Sequence, residues 1–179
     1  MIVREIYEKI IPEIEKKVAE GLSNGSGFSE LAAIVHEWVN KLGVRILEQI
    51  AEDADKAFKD SAERKRHWQI VRKDTRGILT AMGQVNITRN YYRHKKTGEY
   101  SHLVDEVLKL PAYDRIDEGL KADLILKASG MSYSKAGRSN SYAKVSRQTV
   151  MRCIREAGTL VHVPECSKKK SVPVLYVEA

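Results

Sequence analysis

Cysteine is scarce in this chain, with two in 179 residues, and that scarcity removes whole classes of protein at once. Cys153 and Cys166 are too few for a disulfide scaffold, and the absence of any CxxC or HxxxH pair argues against a metal site. Cys153 reads as core packing. No run approaches the roughly 18 to 20 apolar residues needed to span a bilayer, and with 31% charged residues no membrane partner is expected. The N-terminus, Met1 to Ile14, mixes Glu and Lys with isoleucine and so lacks the apolar block of a signal peptide. The default expectation is a cytoplasmic protein whose 42% hydrophobic residues can bury one or two modest cores.

What the chain does have is basic charge, unevenly spread. Residues 1–60 hold 8 Lys/Arg against 12 Asp/Glu, a net of −4, whereas residues 61–179 hold 23 against 12, a net of +11. A cation excess of that kind attracts polyanions through counterion release, which favours double-stranded DNA as partner.

Hydrophobic spacing predicts a mainly α chain with a small β meander, an α+β class. Residues 2–20 carry one apolar stripe that Pro12 should kink or divide. Gly21 to Gly27 reads as a flexible break. A long periodic run from Phe28 to Lys59 predicts a helix of roughly 45 Å. Its stripe cannot be buried against itself, so it must pack on the first helix, on another domain or on a second copy, and a homodimer through Phe28–Lys59 is expected. From Ser61 to Arg76 the helix is expected to continue as a basic segment.

The period then changes to two. Ile78–Met82, Val85–Arg93 and Glu99–Val104 are candidate strands of an antiparallel meander. In the middle strand Val85, Ile87, Arg89, Tyr91 and Arg93 share a face. Arginine beside tyrosine there is suited to a phosphate backbone, so Arg89 and Arg93 join the candidate DNA-binding residues; the alternative is cross-strand packing with solvated arginines. The expected organisation is a helical assembly region over 1–76, the meander over 77–110, a helix-turn-helix unit over 111–160, and a linker with a terminal strand over 161–179.

The clearest functional pattern lies between Met131 and Glu156, read as two short helices joined by a tight turn and supported by a helix from about Asp117 to Ser129. Ser146 suits an N-cap because its hydroxyl can accept from the amide of Thr149. Val150, Cys153, Ile154 and Ala157 then recur on one face, while Arg147, Gln148, Met151, Arg152 and Arg155 fall on the other. In a helix-turn-helix the start of the second helix enters the major groove, where Arg matches the guanine edge and Gln the adenine edge. Lys144 and Ser146, at the helix start, complete the candidate set. The alternative is an ordinary amphipathic surface helix with solvated arginines.

Taken in order, ILTAMGQVNITRNYYR, GEYSHLVDEVLKLPAYDRI, MSYSKA, VSRQTV and VPVLYVEA make residues from about Arg76 to Ala179 resemble the N-terminal half of the ISLre-type insertion-sequence transposases. The resemblance implies that the final strand, Val172–Ala179, opens a ribonuclease-H-like catalytic domain. Its first Asp-Asp-Glu ligand would follow Ala179, so no catalytic or metal-binding residue is expected in this chain, and Mg or Mn belongs to the parent enzyme. The chain departs from the family at Gly137 to Ser141, where alanine and leucine are usual and poor helix formers stand instead. The function expected is the DNA-binding and assembly portion of a transposase, recognising the terminal inverted repeats of its element. The alternatives are a dimeric helix-turn-helix transcription regulator and an interaction protein that works through its long helices.

Overall fold

The structure, a computed structural model, describes residues 4 and 6–158. The expected terminal strand, the segment 161–179 as a whole and Cys166 lie outside the described residues.

Pro12 divides the first helix as its chemistry requires. It has no amide hydrogen to give to the preceding turn, and the chain accommodates this with a π-helical turn, Ile6–Ile10, before α1 (Ile11–Ser23) begins. The break starts later than expected, because Gly21 sits buried inside α1. A Cβ there would lie 3.0 Å from Leu31 Cδ2 and 3.3 Å from Ile34 Cδ1, so the missing side chain lets α1 close on the next helix. The chain reverses through Asn24–Gly27, with Gly25 at φ +75°. Helix α2 then runs Phe28–Asp60, 33 residues and about 50 Å.

The basic segment after α2 is not a continuation of the helix. Ser61 is extended at ψ 147°, and its Oγ accepts from the Arg64 amide at 3.1 Å, capping a short α3 (Ala62–His67). Strand β1 follows at once, Trp68–Thr80, paired along its length with β2 (Gly83–His94). The run of cations carried no information on helix or strand; the partner strand across the hairpin decided it. The expected boundary at 76/77 therefore falls inside a strand. The register shifts between Ile70 and Arg72, leaving Val71 half exposed on a bulge.

The third strand is also shorter than expected. Only Tyr100–Ser101 (β3) pairs with β2, and Leu103–Val107 turns into α4, burying Leu103 and Val104. That leaves much of the β2 edge open, and α2 covers it. Glu48 Oε1 accepts from the Asn86 amide at 2.9 Å, and buried Asp55 accepts from the amide and side chain of Asn90. Two carboxylates on one side of a helix thus replace the missing strand as acceptors for edge amides. Above them Ala51 joins Ile78, Val85 and Ile87 in one of two cores.

The second core belongs to three further helices, α5 (Glu118–Ala128), α6 (Tyr133–Arg138) and α7 (Arg147–Gly158), gathered around Leu120, Leu124, Val150 and Cys153. This unit is stitched to the sheet at Leu79, whose amide donates to the Arg115 carbonyl at 2.8 Å while its carbonyl accepts from the Asp117 amide at 2.9 Å. Among the described residues no helix is long and apolar enough to cross a membrane.

Candidate nucleic-acid interface

Helix α7 begins as its sequence dictates. Ser146 Oγ accepts from the Thr149 amide at 3.2 Å, so the exposed helix start has one of its orphan donors satisfied. Val150 and Cys153 are fully buried against α5 and α6, and burial pushes the Cys153 thiol up, as for a cysteine used in packing. On the other side Arg147, Gln148, Arg152 and Arg155 are exposed and Met151 is half-buried. Lys144 is exposed just ahead of the cap. The helix therefore presents a cationic and amide face, with exposed Glu156 at its edge 3.7 Å from Arg152.

The connection into α7 is not the tight turn expected. It runs from Ser139 to Ser146, and each part of it is anchored. The Val145 amide donates to the Gly137 carbonyl at 2.8 Å. Asn140 Nδ2 donates to the Ala81 carbonyl at 2.8 Å and its Oδ1 accepts from the Tyr142 amide, tying the connection to the β1–β2 hairpin. Ala143 plugs the helical core. Tyr142 Oη and His36 Nδ1 lie 3.3 Å apart, which links the connection to α2. Gly137 and Asn140 were legible only as weak helix formers. Their use is to let one backbone approach another and to hold a loop.

The sheet candidates separate. Arg89 is 8% exposed and ion-paired with Asp105, which also holds Arg76 at 3.1 Å. It is withdrawn from the DNA-facing set, because α4 lies over that part of β2 and turns the arginine inward. Arg93 stays exposed, with its guanidinium 5.9 Å from the Tyr100 ring, but the structure does not bring it to α7.

Between the sheet and the start of α7 runs a groove of about 1520 Å³. Arg72 and Tyr100 line it from the sheet, Lys109 and Arg115 from the linker after α4, and Lys144 and Arg152 from the α7 side. The linker is rigid at its far end. Burial pushes the Asp114 carboxyl up, but the hydrogen bond from Lys121 and those from the Ile116 and Arg115 amides prevail and hold it below its ordinary value. On the sheet side burial pushes the His102 imidazole down despite its 3.1 Å contact with Asp74, and its ring lies 4.5 Å from that of Tyr91.

The family model described as "Uncharacterised protein family (UPF0236)" matches residues 21–179, which include α2, the sheet, the groove and α7. The chain belongs to the UPF0236 family. Three UPF0236 proteins of Caldanaerobacter subterraneus subsp. tengcongensis illustrate the similarity. One is 37% identical over 158 residues, 88% of this chain and 34% of its own length. The second is 34% identical over 187 residues, 100% and 38% respectively, and the third 34% over 184 residues, 98% and 39%. The chain thus spans little more than a third of the length of these relatives. The printed name of the first joins eleven serial designations in that one strain, and that of the third joins four. No solved structure matches the chain at a significant level.

Proposed function

We propose that this UPF0236 chain is the DNA-binding and assembly portion of a transposase, reading the terminal inverted repeats of a mobile element with α7. The observation that carries the reading is the capped α7 helix. One face of it is locked into a three-helix core, while the other exposes Arg147, Gln148, Arg152 and Arg155. Arg and Gln at the start of an exposed helix are the side chains that match purine edges in the major groove. A relative whose name joins eleven designations in one strain supports a mobile element over a transcription regulator, because a self-copying gene is what fills a genome with the same protein. Three carboxylates with little exposure already have protein partners. Asp55 is taken by Asn90, Asp105 by two arginines and Asp114 by Lys121.

The test is binding to short duplex DNA as salt is raised. Affinity should fall steeply between about 50 and 200 mM, since each phosphate contact releases counterions. Absence of binding, or binding indifferent to salt, overturns the reading.

Assembly rests on α2. At about 100° per residue, Phe28, Val35, Val39, Ile46 and Ile50 fall on one side, opposite the side that Ala51 and Asp55 turn to the sheet. Val35, Val39 and Ile50 remain 45%, 55% and 49% exposed. Ile34 already packs on α1 beside Gly21 and is not part of this surface. The chain is expected to dimerise through the stripe, and Val39→Asp with Ile50→Glu should convert the dimer to monomer in sedimentation velocity. An unmodified chain that stays monomeric at high concentration contradicts it.

A further inference from the structure

The groove beside α7 has features that a duplex lying along that helix does not use. Its floor on the sheet side is an aromatic stack. Tyr91 and Tyr100 lie 5.4 Å apart at 18°, and the Arg72 guanidinium sits 4.6 Å over the Tyr91 ring. Tyr100 lines the groove and remains 52% exposed, between Tyr91 and the Arg93 guanidinium 5.9 Å from its ring. Tyr113, which also lines the groove, is 100% exposed.

That exposure is built rather than accidental. Tyr113 has φ +63° and Lys109 φ +52°, a left-handed conformation that residues other than glycine rarely adopt. The segment between them is held from beneath by Arg76. Its guanidinium donates to the Pro111 carbonyl at 2.5 Å and to that of Asp114, on either side of Tyr113, while also pairing with Asp105. A nearly buried arginine thus fixes the loop that lifts an aromatic ring clear of the protein. Flanking it, Lys109, Arg115 and Lys144 are exposed cations with no carboxylate partner among the described residues.

Exposed aromatic rings beside cations without carboxylate partners are the chemistry that holds a single nucleic-acid strand. Bases stack on the rings and phosphates meet the charges. A duplex offers no free base faces to such rings, because its bases are stacked on one another. Nor does a small molecule suit the site, since 1520 Å³ exceeds the about 300–1,000 Å³ of ordinary ligand pockets. Lys144 and Arg152, which line the groove, also belong to the start and outer face of α7, so the groove adjoins the helix that would read a duplex.

We infer that the groove is a single-strand site, taking an unpaired DNA strand that continues from the duplex held by α7, with Tyr100 and Tyr113 stacking on its bases and Lys109 and Arg115 meeting its phosphates. The inference rests on the DNA-binding reading above. It is tested by titrating the whole chain with a short blunt duplex and with the same duplex carrying an oligo(dT) tail, each against the unmodified protein and Tyr100→Ala/Tyr113→Ala. The tail should tighten binding by about fivefold or more. The double variant, altered only at exposed rings, should bind both probes as the unmodified chain binds the blunt one. If blunt and tailed duplexes bind alike, the single-strand site is wrong and the DNA-binding reading stands. A tail effect that survives in the double variant overturns the assignment to this groove. If neither duplex binds, the DNA-binding reading fails and the inference falls with it.

Discussion

Asp105→Ala is expected to destabilise the protein by about 3–5 kcal/mol, the cost of leaving buried charge without its partner. Two guanidiniums converge on this carboxylate, and the side chains of Arg76, Arg89 and Asp105 are only 10%, 10% and 17% exposed. Solvent therefore screens them little. Removing the aspartate leaves two like charges facing each other across the sheet, with Arg76 still holding the Pro111 and Asp114 carbonyls. Asp105→Asn, which keeps an acceptor oxygen and loses the charge, should cost less. Urea titration monitored by circular dichroism gives the comparison. A loss under about 1 kcal/mol for Asp105→Ala, the range of an exposed ion pair, would show that the cluster is solvated after all.

For Gly137→Ala, helix propensity and packing predict opposite signs. Gly137 lies within α6, where propensity alone would make alanine stabilising by up to about 1 kcal/mol. Packing says the reverse. An added Cβ would stand 2.4 Å from the Val145 carbonyl oxygen and 3.3 Å from Val150 Cγ2. The obstacle is backbone, which cannot rotate away. Relief requires the connection before α7 to move off α6, which breaks the Val145–Gly137 hydrogen bond and shifts α7 on its core. Overpacking of this kind costs about 1–3 kcal/mol. Thermal unfolding of the variant decides the sign, and a raised midpoint would refute the close approach.

Local signals in this sequence were reliable where they determine structure locally. The bounds of α2, the division at Pro12, the Ser146 cap and the two faces of α7 all follow from periodicity and capping chemistry within a few residues. What escaped depends on partners distant in sequence. The basic stretch after His67 became a strand because β2 returns to pair with it, and no count of its own arginines could say so. Arg89 alternated correctly with Val85 and Ile87, yet its fate depended on α4 lying across that face with Asp105 in reach. Gly137 and Asn140 belong to the same class. Each was visible as an oddity within a helix, and only Val145 and Ala81 explain them.

Binding titrations of single variants against an element end and a scrambled duplex, at several salt concentrations, test whether the outer face of α7 reads bases. Arg147→Ala and Gln148→Ala should each lower the discrimination between the two duplexes by about 1–3 kcal/mol per lost base contact, with little change in the salt slope. Lys144→Ala should instead weaken both duplexes alike and lower the slope by roughly one unit. Equal loss of affinity for both duplexes in the Arg147 and Gln148 variants would contradict the account, leaving α7 as a helix that grips the backbone without reading it.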